Sequence, residues 1–164
     1  MEALKLILIV GPTASGKTAA SIYAAIKLNG EIVSADSIQV YKGMDIGSAK
    51  PTMQERQGIP HHLMDAIDIN SPKFSVAEFR KMAGEAIEDI AGRGKQPIVV
   101  GGTGLYINSL VFPLNFTEVQ SDEKLRSELS DIEERQGRGT LHAMLQEEDP
   151  EACLPAATYD HGSD

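Results

Sequence analysis

The sequence is poor in several things, and each shortage removes a class of answer. It has a single cysteine, Cys153, so no disulfide framework can close within the chain, and that usage fits a reducing, cytoplasmic setting. No apolar run approaches the roughly 20 residues that span a bilayer, and the N-terminus lacks a secretory layout, so no membrane role is expected. There is no internal repeat. His61 and His62 are adjacent, with no third ligand at metal spacing nearby, and read as structural.

Cations are scarce too, and unevenly so. The net charge of −9 arises almost wholly in the C-terminal part. Residues 1–117 hold 11 acidic and 11 basic side chains, residues 118–151 hold 11 against 4, and the last 13 residues add −2. A neutral body with an acidic C-terminal part is not a sequence-independent nucleic-acid binder, which needs clustered Lys and Arg. Any nucleic-acid partner must be gripped locally. At 164 residues the chain can form one domain, or one domain with a small appendage.

What is present centres on Gly11-Pro12-Thr13-Ala14-Ser15-Gly16-Lys17-Thr18. It follows the apolar run Leu6–Val10 and leads into a helix-friendly stretch, the context that the phosphate-loop pattern G-x-x-x-x-G-K-[ST] requires. Glycines let successive N–H groups turn inward on an anion, and the helix that begins there adds its positive dipole end. Lys17 brings a point charge to phosphate oxygens, and Thr18 a hydroxyl suited to magnesium. The loop says that phosphates bind; it does not say what happens to them.

Around it the chain alternates strand and helix. Residues 4–10 read as a buried parallel strand, 17–28 as a helix stopped at Asn29-Gly30, and 31–35 as a second strand that delivers Asp36 past its carboxyl end. Residues 36–61 read as a long, mostly irregular loop, more often functional than decorative, with a helical turn near 52–57. A short strand at 62–65 follows. Ser75 and Glu78 form a capping box for a helix to about Ala91, with Phe79, Ala83, Ala86, Ile87 and Ile90 inward. Pro97–Val100 reads as another buried strand, ending in Gly101-Gly102-Thr103-Gly104 and a short helix through Leu110. This pattern implies a doubly wound parallel α/β sheet of the P-loop NTPase type, whose ligands sit beyond the strand carboxyl ends. The loop at 11–18, Asp36 and Thr103 are therefore expected at one crevice.

The expected organisation is an α/β core over 1–117, a helical insert or arm over 118–150 and an irregular tail over 151–164. In the arm, Ser121 is expected to cap a helix striped by Leu125, Leu129 and Ile132, with a second helix from Thr140 to Glu147. The tail lacks periodicity and is expected to be frayed.

Asp36 stands out after Lys17. A carboxylate ending the strand next to the first one can hold a magnesium shell, take a proton from an incoming nucleophile, or structure its own loop. Position alone leaves these open. Thr103 can place its hydroxyl on a phosphate or cap the following helix.

Several stretches together resemble the bacterial tRNA dimethylallyltransferases. They are the phosphate loop, Ser34-Ala35-Asp36-Ser37-Ile38-Gln39-Val40-Tyr41-Lys42-Gly43-Met44-Asp45-Ile46-Gly47, Ala49-Lys50-Pro51, Pro60-His61-His62-Leu63, Ser75–Phe79 and Gly101-Gly102-Thr103-Gly104-Leu105-Tyr106. The phosphate loop alone is shared with many kinases; the Asp36 and Thr103 motifs together discriminate far better. The likeness runs over about residues 4–150. Ser48 stands where the family commonly has Thr, and from Cys153 onward the sequence departs from the family pattern, so the chain reads as the N-terminal half of such a protein.

The resemblance implies alkyl transfer: a dimethylallyl group moves from dimethylallyl diphosphate to N6 of the adenosine 3′ of a tRNA anticodon. Gly11 through Thr18 then grip a diphosphate leaving group, with magnesium as cofactor near Thr18. Asp36 is the implied base, and Thr103 helps to position the reacting centre. Asp36, Ser37, Ile38, Gln39, Thr103 and Arg126 are implied contacts to the tRNA anticodon stem-loop, and the family is usually monomeric. Two rivals remain at this point. Lys17, Thr18 and Asp36 also suit a small-metabolite kinase using ATP and magnesium, and the chain can be a phosphate-binding remnant without turnover.

Overall fold

Two helices stopped by their own sequence frame the sheet. The computed structural model describes residues 5–71, 74–112, 122–150 and 153. Helix α1 (Lys17–Leu28) ends where Asn29 takes a left-handed conformation and returns its N–H to Ala25. Helix α2 (Val76–Gly92) begins with the full capping box: Ser75 accepts from the Glu78 amide, and Glu78 accepts from the Ser75 amide at 2.7 Å. Between and after them lie strands β1 (Ile7–Val10), β2 (Gly30–Ala35), β3 (His61–His62) and β4 (Gln96–Gly101), followed by helix α3 (Gly104–Val111).

All the strands pair in parallel, in the order β1-β4-β2-β3. Alternation along the strands feeds two apolar layers. Ile32 and Ile98 pack with Ile22 and Ala25 of α1, whereas Val33 and Val99 pack with Phe79, Ala83, Ile87 and Ile90 of α2 and with Tyr106 of α3. Phe79 and Tyr106 stack with ring centroids 4.2 Å apart. Helices on both faces of a parallel sheet make this a doubly wound α/β fold.

Three sequence expectations change. The strand expected over 4–10 is Ile7–Val10, at an edge of the sheet and only half-buried, with residue 4 outside the described residues. The strand of Asp36 is not next to β1, because β4 lies between them. Gly101 permits this: a Cβ there would sit 2.1 Å from the Ala35 carbonyl oxygen, so only glycine lets β4 close against the end of β2. The strand expected at 62–65 is the shorter β3, whereas the helical turn expected near 52–57 is present, with the Arg56 amide donating to the Thr52 carbonyl at 3.0 Å.

The chain divides into two compact units, residues 1–116 and 117–164. The second holds helix α4 (Glu123–Gln136), broken at Gly137, and helix α5 (Thr140–Glu148). Asp122 caps α4 by accepting the Leu125 amide at 3.0 Å, a role the sequence reading gave to Ser121. Ser121 and, Cys153 apart, the expected irregular tail fall outside the described residues.

Candidate active site

The loop from Gly11 to Gly16 leaves β1 and must reverse into α1 within six residues. It does so with Ala14 and Gly16 both left-handed, at φ 63° and 83°. No side chain caps α1, so its first amides are free of the usual internal acceptor. Lys17 turns back and donates its Nζ to the carbonyl of Pro12. The amino group thus lies over the loop that it is expected to serve.

Beyond the carboxyl ends of the strands, this loop forms one wall of a crevice of about 190 Å³. Thr13, Ala14 and Lys17 come from the loop, Asp36, Ile38 and Gln39 from the turn after β2, Gly47, Ser48 and Ala49 from the long loop, and Val100 and Gly101 from β4. The crossing order of the strands is what brings these distant segments together.

Asp36 is half-buried and does two things with its geometry. Its Oδ1 accepts the amides of Ile38 at 2.9 Å and Gln39 at 3.1 Å, which folds the turn after β2. No hydrogen bond among the described residues engages Oδ2. One oxygen is therefore structural and the other is available, so the loop-building reading and a chemical reading coexist in one carboxylate.

Thr103 is the residue before α3, yet its hydroxyl makes no cap. It instead accepts the Ser37 amide at 3.2 Å and lies 3.5 Å from the Ser37 hydroxyl. Thr103 thus braces the turn that carries Asp36, 66 residues away in sequence.

Comparison with known proteins gives this geometry a lineage. The family model described as "IPP transferase" matches residues 39–161, which is most of the chain although it starts after the phosphate loop. The chain belongs to the IPP transferase family. A tRNA dimethylallyltransferase of Caldanaerobacter subterraneus subsp. tengcongensis is 50% identical over 151 residues, covering 92% of this chain and 48% of that protein. The full-length tRNA isopentenylpyrophosphate transferase of Bacillus halodurans is 47% identical with a TM-score of 0.68, over 92% of this chain and 50% of the other. A eukaryotic dimethylallyltransferase captured acting on tRNA is 38% identical with a TM-score of 0.74, over 92% of this chain and 37% of the other. The chain thus spans about half the length of the curated relatives it matches.

Within this family fold, not every expected site residue meets at the crevice. Thr18 is exposed and lines a separate depression of about 370 Å³ with Ile22, Tyr23 and Ile26 on the side of α1. Gly11, Pro12, Ser15 and Gly16 build the loop without lining the crevice. Ser37 meets Thr103. Gln39 spends its side chain internally: Nε2 donates to the carbonyls of Ser48 at 3.0 Å and Ala49 at 3.3 Å, and Oε1 accepts from Ser34 at 3.2 Å. Arg126 lies exposed on α4, in the second unit.

Sequence reasoning missed Lys50. Its side chain is 5% exposed, and Nζ donates to the Tyr41 carbonyl at 2.7 Å, to Asp65 at 2.6 Å and to Asp45 at 3.1 Å. Burial alone would lower its pKa, but Asp65 and Asp45 outweigh burial and raise it. Lys50 fastens the long loop that supplies Gly47, Ser48 and Ala49. The available signal was its place in Ala49-Lys50-Pro51, a lysine boxed between small and rigid residues.

Proposed function

We propose that this chain carries the donor-binding half of a tRNA dimethylallyltransferase, moving a dimethylallyl group from dimethylallyl diphosphate to N6 of the adenosine 3′ of the anticodon. The observation that carries this is the shared crevice: an anion-binding loop and a carboxylate with a free oxygen line the same space. Breaking the allylic C–O bond leaves its electron pair on the diphosphate. The loop amides and Lys17 meet that growing charge once Lys17 exchanges the neutral Pro12 carbonyl for phosphate oxygens. The bond formed is from N6 to the allylic carbon, and the proton that N6 sheds goes to Oδ2 of Asp36. Ile38, Ala49 and Val100 give the crevice apolar walls suited to a short branched hydrocarbon.

The acceptor adenosine reaches such a site by leaving its stack, as single-stranded loop bases do. Gln39 and Thr103 support this step by holding the walls, and Ser37, Ile38 and Arg126 are the further residues proposed to touch the tRNA. Magnesium is compatible with the residues present. The exposed Thr18 hydroxyl is a hard donor of the kind it takes, and too little to hold it without phosphate oxygens and water. Bound with the diphosphate, magnesium would shield charge on the leaving group. The described residues hold no helix long and apolar enough to cross a membrane, and we place the reaction in the cytoplasm.

The test sets dimethylallyl diphosphate, ATP and an anticodon stem-loop side by side in a binding assay with this chain. Dimethylallyl diphosphate is expected to bind, and Lys17→Ala to weaken it by on the order of 1.5–3 kcal/mol, the worth of a hydrogen bond to a charged group. Preference for ATP with no affinity for the prenyl donor would favour a kinase instead.

A further inference from the structure

Ser48 holds a buried hydroxyl that the fold does not use. The residue is 8% exposed and lines the crevice, and its Oγ is the one buried side-chain oxygen without a hydrogen-bond partner among the described residues. Buried hydroxyls are nearly always paired, because the desolvated group otherwise costs free energy with no return. Such an orphan calls for a reason, and the crevice beside it offers one.

The position is held firmly. Gly47 and Ala49 on either side are both left-handed, at φ 77° and 51°. The Ser48 carbonyl accepts from Gln39 at 3.0 Å, and Gln39 donates its own amide to Asp36 at 3.1 Å. Lys50 then anchors the next turn through Tyr41, Asp45 and Asp65. The backbone is pinned on both sides while the side chain is left over. A hydroxyl placed this way is preorganised rather than adaptable.

We infer that the Ser48 hydroxyl is a ligand contact, donating to an oxygen of the diphosphate in the crevice. This rests on the reading of the crevice as a diphosphate site. The hydroxyl can donate or accept, and the diphosphate, which presents only charged lone pairs, is the stronger partner for its hydrogen. The amine brings hydrogens, which Asp36 is placed to take. The third wall of the crevice thereby joins the loop and Lys17 in holding the leaving group.

Titration calorimetry with inorganic pyrophosphate tests this on wild type, Ser48→Ala, Ser48→Thr and Lys17→Ala, alongside thermal melting without ligand. Ser48→Ala is expected to bind pyrophosphate on the order of tenfold more weakly, the loss of one charge-assisted hydrogen bond, and Ser48→Thr to restore binding. Unliganded Ser48→Ala is expected to melt no lower than wild type, since it discards an unpaired polar atom. Unchanged pyrophosphate affinity in Ser48→Ala, with Lys17→Ala still weakened, overturns the inference and leaves the diphosphate site standing. So does a lower melting temperature, which would show that the hydroxyl is structural. If wild type itself binds no pyrophosphate, the crevice reading falls and the inference with it.

Discussion

Strand β2 carries two carboxylates, one at each end, and they live under opposite regimes. Glu31 near the amino end is 2% exposed and saturated: Arg93 grips it with both Nη atoms at 2.7 and 2.8 Å, Lys95 donates at 2.6 Å, and His62 lies at 2.7 Å. Asp36, just past the carboxyl end, is half-buried and keeps one oxygen free. Chemistry needs a carboxylate that still has something to gain from a substrate. A carboxylate with three cationic or imidazole partners has nothing left to offer, however perturbed it is. The contrast supports the proposed site at the end of the strand where hydrogen bonding is incomplete, where Ser48 is also found.

The strongest way to break that contrast is at Asp36. Asp36→Asn keeps an oxygen at the Oδ1 position, so the turn after β2 survives, but it removes the proton acceptor. Transfer is expected to fall by about 10²–10⁴-fold, the usual worth of a positioned base, with melting unchanged. Asp36→Ala should lose the same activity and also about 1 kcal/mol of stability, because two backbone amides lose their acceptor. Both are measured by prenyl transfer to an anticodon stem-loop, in this chain or joined to the C-terminal portion of a full-length relative. Full transfer by the Asn variant would reduce Asp36 to a loop builder.

At the other end, Glu31→Gln keeps the shape and deletes the charge. Arg93, Lys95 and His62 would then face a buried neutral group. A loss of about 3 kcal/mol is expected, the lower end for a broken buried pair because Arg93 and Lys95 stay partly solvated. Urea titration reads this directly. Pyrophosphate binding at the far end of the strand should be untouched, and a coupled loss of binding would mean that the two ends are not independent.

How much of this was legible depends on how local the cause is. The capping box of α2 and both ends of α1 are written within a few residues, at Ser75–Glu78 and at Lys17 and Asn29, and the structure follows them. The phosphate loop was equally plain. The place of β1 was not: an unbroken apolar run says that a strand is shielded, and α1 with β4 shields β1 while leaving it at an edge. Whether β4 inserts between β1 and β2 turns on Gly101 meeting Ala35, a contact between residues far apart in sequence. Glu31 could have been flagged, since a charge inside Gly30–Ala35 must find partners, but those partners come from two segments far along the chain, His62 and the turn at Arg93 and Lys95. Ser48 showed in the sequence only as a serine where the resembling family commonly has threonine; the missing hydrogen bond is what reveals its unused hydroxyl.

The smallest effect concerns pH, and it sharpens the same comparison. His61 is partly buried, and burial pushes its pKa below the ordinary 6.5 against the pull of the Ile59 carbonyl at 2.8 Å. Glu31 is held well below the ordinary 4.5, chiefly by Arg93, then by Lys95 and His62. In both cases the unfolded chain binds more protons than the folded one, so stability must fall as pH falls. The expected urea midpoint declines shallowly below pH 6.5 as His61 resists protonation, then more steeply below 4.5 as Glu31 does. Lys50 has the opposite sign: its raised pKa contributes stability that is lost above the ordinary 10.5. His61→Gln should remove the first, shallow limb and leave the second, whereas Glu31→Gln should do the reverse. If stability instead rose between pH 6.5 and 5, the buried imidazole would be gaining a partner on protonation, and the amino end of the sheet would no longer be the closed, saturated half of the comparison.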